Sequence, residues 1–138
     1  MSSRFIHLHL HTEFSLADST IRVPEKPDEA RPEKAKRPNL LSRAVEMKLP
    51  ALAVTDRNNL FALIKFYKSA ESVGIKPIAG ADLSIVDGKE SPWQLTLLCR
   101  DHVGYLPLSR LLPRAGVGGH HLDGVAITPQ WLAADCAG

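Results

Sequence analysis

Within the stretch Phe5-Ile6-His7-Leu8-His9-Leu10-His11-Thr12-Glu13, apolar and polar side chains alternate. A repeat of two is the signature of a β-strand with two unlike faces. It predicts a strand carrying Ile6, Leu8 and Leu10 on one face and His7, His9 and His11 on the other. Further on the pattern changes period. Asn39 stands at an N-cap position before Leu40, Leu41, Ala44, Val45 and Met47 at helical spacing, and Pro50 stops that helix. Ala51-Leu52-Ala53-Val54-Thr55 is apolar without alternation and ends at Asp56, as in a strand covered on both faces. A second helix is predicted from a cap at Asn59 through Leu60, Leu63, Ile64, Phe66, Tyr67, Ala70 and Val73, with Gly74 closing it.

A third strand is predicted over 75–86 with Asp82 near its middle, then a turn at Asp87-Gly88 and a fourth strand over 93–99. A third helix follows over about Val103 to Leu112, with Pro107 near its first turn, then a Gly-rich loop over 113–124. Thr128-Pro129 opens a last short helix through Trp131 and Leu132. Between the first strand and the first helix, residues 20–38 hold Pro24, Pro27, Pro32 and Pro38 among Glu, Lys, Arg and Asp. Prolines at that density block a regular helix, so this is a solvated loop inserted between strand and helix. Strands alternating with helices make an α/β fold with a mostly parallel sheet.

Composition narrows the class without naming a function. A chain of 138 residues is about one domain, and 44% hydrophobic with 23% charged residues is ordinary for a globular protein. A net charge of +2 gives no argument for a nucleic-acid surface. No apolar run approaches the roughly 18 residues of a membrane span, so no membrane role is expected. Cys99 and Cys136 share no C-x-x-C spacing; a reducing cytoplasmic setting is the expectation.

The chemistry gathers where strands end. In a parallel sheet or barrel functional residues collect at the C-terminal strand ends, and His9, His11, Asp56 and Asp82 fall there. Same-face side chains on a strand stand about 6.6–7 Å apart, so two imidazoles can tilt onto one ion. Imidazole and carboxylate ligands suit zinc, and also manganese or iron. An ion so held could lower the pKa of a bound water and present hydroxide to a phosphoester. Plainer readings stand beside this one. The histidine row could be a polar face turned to solvent, with His7 the most structural of the three. Asp56 could cap the following helix, and Asp82 could be a satisfied strand-end carboxylate. His120-His121 reads as a solvent-exposed loop pair, and Cys99, Trp93, Phe66 and Tyr67 as core.

The residues from Phe5 to Asp18 resemble the opening of the PHP (polymerase and histidinol phosphatase) domain, most closely in the form that begins the alpha subunits of bacterial replicative DNA polymerases of the polymerase III type. Pro50–Asp56 with Asn59-Leu60, then Lys65-Phe66-Tyr67 and Gly74–Asp82, look like the next two signature blocks, in order. The resemblance implies that 1–138 is a partial PHP domain, the first half of a distorted (βα)7 barrel with metal ligands at its C-terminal rim. Carried over by position, the ligand candidates are His9, His11, Asp18, Asp56 and Asp82, for Zn, Mn or Mg. Three departures erode that site: Arg57 stands where metal-binding members have a histidine, Asn58 replaces a glycine, and Asp82 a glutamate. A guanidinium cannot ligate a cation, and its fixed charge opposes one.

For the full-length parent the resemblance implies DNA-directed DNA polymerase activity in chromosome replication. For this segment it implies a fragment inactive as a polymerase. Its role would be a structural platform that docks the proofreading exonuclease subunit, with other holoenzyme subunits as partners and DNA met through the parent. A metal-dependent phosphoesterase or pyrophosphatase is the alternative. Unpaired sheet edges predict marginal stability and self-association.

Overall fold

A computed structural model describes residues 5–88, 91–121 and 124–135. Helix α1 (Leu40–Glu46) is capped by Asn39, whose side chain accepts from the Leu41 and Ser42 amides while the Ser42 hydroxyl accepts from the Asn39 amide. This reciprocal pairing satisfies the otherwise orphaned first-turn donors. Strand β1 (Ala51–Arg57) follows Pro50 and is buried through Asp56. Helix α2 (Leu63–Ser72) ends into Gly74, whose φ of 75° lies in the left-handed region glycine adopts freely. Strand β2 (Lys76–Ile85) runs parallel to β1, pairing Asp56 with Ala81 and Arg57 with Asp82. Strand β3 (Trp93–Leu98) returns antiparallel to β2, so the sheet order is β1-β2-β3.

Two clusters form the core on the helix-covered side. Around β1 pack Leu41, Leu52, Val54, Phe66 and Ala70; around β2 pack Ala81, Leu83, Ile85, Leu108 and Leu111. The second cluster draws on helix α3 (His102–Gly118), which is longer than the spacing predicts. The expected end at about Leu112 is passed, and the helix continues through Pro113 because Leu111 and Ala115 bury against the sheet. The loop predicted over 113–124 therefore shrinks. In its second half β4 (His120–His121) pairs antiparallel with β5 (Gly124–Val125), before helix α4 (Pro129–Asp135). The side chains of His120 and His121, and Cys136, lie outside what is described.

Other expectations are corrected. Helix α2 begins at Leu63 rather than just after Asn59. Asn59 instead spends its side chain on the Phe14 and Arg57 carbonyls and the Phe61 amide. Trp93 and Tyr67 are nearly half exposed, whereas Phe66 is fully buried. The 20–38 segment is irregular, with one 3-10 turn at Pro27–Ala30, but it buries Val23 and Ala30 in the first core cluster.

The opening segment departs most from its pattern. It lies parallel to β1 but forms only one ladder bridge, His7 with Leu52. The carbonyls of His7 and Leu10, three residues apart, accept from the amides of Ala53 and Thr55, two residues apart. One extra residue is thus absorbed between them, a bulge that reverses the faces beyond it. Leu10 accordingly packs on the first core cluster beside Val54, and Thr12 meets Asp56. His9 and His11 turn to the opposite side from Leu10. Ile6 and Leu8 are exposed, and Glu13 leaves the extended segment to begin a 3-10 helix, Glu13–Asp18.

Candidate metal centre

Residues in register across parallel strands share a face. Asp82 therefore projects on the face of Arg57, and Asp56 on the opposite one with Ala81. The bulge brings His9 and His11 to the Asp82 face. The His9 Nε2 lies 2.5 Å and the His11 Nε2 2.6 Å from the same oxygen, Asp82 Oδ2. The Thr96 hydroxyl, opposite Asp82 on β3, donates to Oδ1. The imidazole rings meet edge to face, centroids 5.1 Å apart. Asp82 keeps only 5% of its side chain exposed, His11 18% and His9 61%, so the group opens to solvent on the His9 side. Burial pushes the Asp82 carboxyl up. The hydrogen bonds from Thr96, His9 and His11, with attraction to His9, outweigh it and hold the group below the usual carboxylate range.

One potential ligand atom from each of His9, His11 and Asp82 lies within 4.8 Å of the other two. In donor type this set fits a divalent ion. Asp18 stands next to it, its Oδ2 4.0 Å from His11 Nδ1. The same oxygen is held at 3.1 Å by the Arg57 guanidinium. A cation entering here would meet a fixed positive charge already paired with the nearest additional carboxylate. Asp56 is built into something else. Its Oδ1 accepts from the Thr12 amide and the Ser15 hydroxyl at 2.6 Å each, and its Oδ2 from the Thr12 hydroxyl at 2.7 Å. It is buried and caps no helix.

The structure also explains one of the departures from the family pattern. Asn58 has φ 53°, a left-handed conformation that asparagine tolerates better than most residues. Its side chain accepts from the Ser84 amide and donates to the Val125 carbonyl, and its amide donates to the Asp82 carbonyl. It thereby ties the end of β1 to β2 and β5. The sequence pattern assigns no role to Thr12, Ser15 or Thr96, and it marks Asn58 only as a departure from the family's glycine. The one signal for Thr12 and Ser15 is that an aspartate ending an apolar strand needs nearby donors.

The PHP domain family model matches residues 7–136. The chain belongs to the PHP domain family. The DNA polymerase III subunit alpha of Xylella fastidiosa (strain 9a5c) is 68% identical over 132 residues, 95% of this chain and 11% of that protein. The subunit of the same name from Neisseria meningitidis serogroup A (strain Z2491) is 40% identical over 134 residues, 93% of this chain and 10% of that one. That of Vibrio cholerae serotype O1 is 34% identical over 98% of this chain and 11% of its own length. This PHP chain thus spans about a tenth of the length of the curated relatives it matches. Among solved structures, an amidohydrolase from Chromobacterium violaceum superposes with a TM-score of 0.47 and 22% identity, covering 88% of this chain and 40% of that one. Among the described residues no helix is long and apolar enough to cross a membrane.

Proposed function

We propose that this chain is the N-terminal PHP-domain part of a DNA polymerase III subunit alpha, whose full-length form carries out DNA-templated DNA synthesis in the cytoplasm during chromosome replication. The identity of 68% across 95% of the chain supports this reading above all. Within it, the segment is a structural platform that docks the proofreading exonuclease subunit beside the other holoenzyme subunits, DNA being met by the rest of the parent. Arg57 supports the platform role, because its guanidinium occupies Asp18 at 3.1 Å where a bound cation would need that carboxylate. The His9–His11–Asp82 group then works as a hydrogen-bonded clasp between the opening segment and β2. Titrating the chain with a proofreading exonuclease subunit tests the platform. Saturable one-to-one binding is expected, and no binding at tens of micromolar would remove it.

The convergence of His9, His11 and Asp82 favours a second reading, a metal-dependent phosphoesterase or pyrophosphatase. These three residues would hold Zn, Mn or Mg, with Asp18 as the further candidate; Asp56, on the other face of the sheet and bound by Thr12 and Ser15, drops out of the ligand set. A bound ion would supply an acidified water as nucleophile. Elemental analysis of the purified chain, with phosphoester hydrolysis assayed in added manganese, separates the two. Stoichiometric metal, with activity abolished in a His9→Ala, His11→Ala variant, would establish the enzyme. Substoichiometric metal without hydrolysis is expected.

A further inference from the structure

Away from the metal centre, at the opposite end of β2, a cleft of about 500 Å³ opens between α2 and the start of α3. Its floor is apolar: Leu63, Pro77, Ala79 and the half-buried Cys99. Helix α2 already buries Phe66, Ser69 and Ala70. Yet it carries a second apolar row, Ile64 and Tyr67, 70% and 46% exposed, along one wall of the cleft. Tyr105 of α3 forms the other wall, its ring stacked on His102. Neither tyrosine hydroxyl has a hydrogen-bond partner among the described residues.

The rim carries charge of one predominant sign. Lys68 has no ion-pair partner among the described residues. Arg100 is 92% exposed and touches only Asp101 at 3.2 Å, a contact so solvated that it neutralises little. Asp101, the rim's one acidic group, is committed as the cap of α3, accepting from the Gly104 amide. An apolar trough with two cationic heads and two unfilled phenols matches a peptide that presents aliphatic or aromatic side chains flanked by carboxylates. A nucleic acid would find too few cations and no polar floor.

We propose that the α2–α3 cleft is a docking groove for an acidic, amphipathic segment of a partner protein, its apolar side chains on Leu63 and Ala79 and its carboxylates on Lys68 and Arg100. The inference rests on the platform reading in that it says where such a partner lands. Display selection of random 12-residue peptides against the 138-residue chain tests it. Enriched peptides should combine Leu, Phe or Trp with Asp or Glu. The Lys68→Glu, Arg100→Glu variant should bind them at least tenfold more weakly, with an unchanged thermal melt. Exchanging the peptide's acidic residues for Lys should restore binding to that variant.

Failure to enrich any peptide, enrichment without acidic residues, or equal binding to the charge-reversed variant would overturn the proposal. Self-association of the chain that the same variant abolishes would also overturn it, by assigning the cleft to a second copy. Titration with the exonuclease subunit separates this outcome from the platform reading. If that subunit binds and a selected peptide does not compete, the platform stands and the groove falls. If peptides bind as described but the subunit does not, the groove stands alone.

Discussion

Asp56 shows how a single buried carboxylate can organise a chain terminus. It accepts three hydrogen bonds from Thr12 and Ser15, and it has no exposed surface on which water could replace them. Asp56→Ala should cost about 3 kcal/mol, because three buried donors lose their acceptor together. A lowered urea midpoint measures it, and Asp56→Asn, which keeps one acceptor, should fall in between. Asp82 governs the acid side instead. Its carboxyl is held below the ordinary 3.8, so its ionised form contributes stability above that value, and the contribution is lost as pH falls through the lower folded value. Asp82→Asn should therefore flatten the stability profile below about pH 4. A parallel acid limb in variant and wild type would count against the hydrogen-bonded arrangement.

At the scale of elements, the close pairing of β2 with β3 depends on a missing side chain. A Cβ at Gly80 would lie 2.5 Å from the Leu97 carbonyl oxygen and 2.8 Å from Leu98 Cδ2. Gly80→Ala should force the strands apart and cost about 2 kcal/mol or more, since backbone cannot yield as a side-chain tip can. Hydrogen exchange localises the effect: amides of Leu98 and Cys99 should lose protection before those of β1. Helix α3 carries the complementary lesson. It holds Pro107, Pro113 and three internal or terminal glycines, so its intrinsic propensity is poor. It forms because one face buries Leu108, Leu111 and Ala115.

Across the whole molecule, the sheet leaves apolar side chains at both margins among the described residues. Phe5, Ile6 and Leu8 are exposed on the opening segment, and Trp93 and Leu98 on β3. Such margins invite strand pairing between copies. Sedimentation should show the mean mass rising with concentration, and Leu8→Lys should suppress the rise. A monomer at all concentrations, melting at a constant temperature, would show that these margins are inert in solution.

What the amino-acid order settles by itself is local. Asn39 caps α1, Gly74 closes α2, and the unbroken apolar run 51–55 fits a covered strand, because each is read from neighbours a few residues away. The family signature is legible for the same reason, being a set of short blocks. Tertiary structure alone decided the rest. Alternation assigns all three histidines to one face, but a bulge against β1 separates His7 from His9 and His11, and no local rule places it. Asp56 and Asp82, alike in sequence as strand aspartates, serve opposite faces because the parallel register sets Asp56 beside Ala81 and Asp82 beside Arg57. The register joins residues 25 apart and the bulge contacts lie more than forty apart, and such pairings have no signature in any short window of the chain.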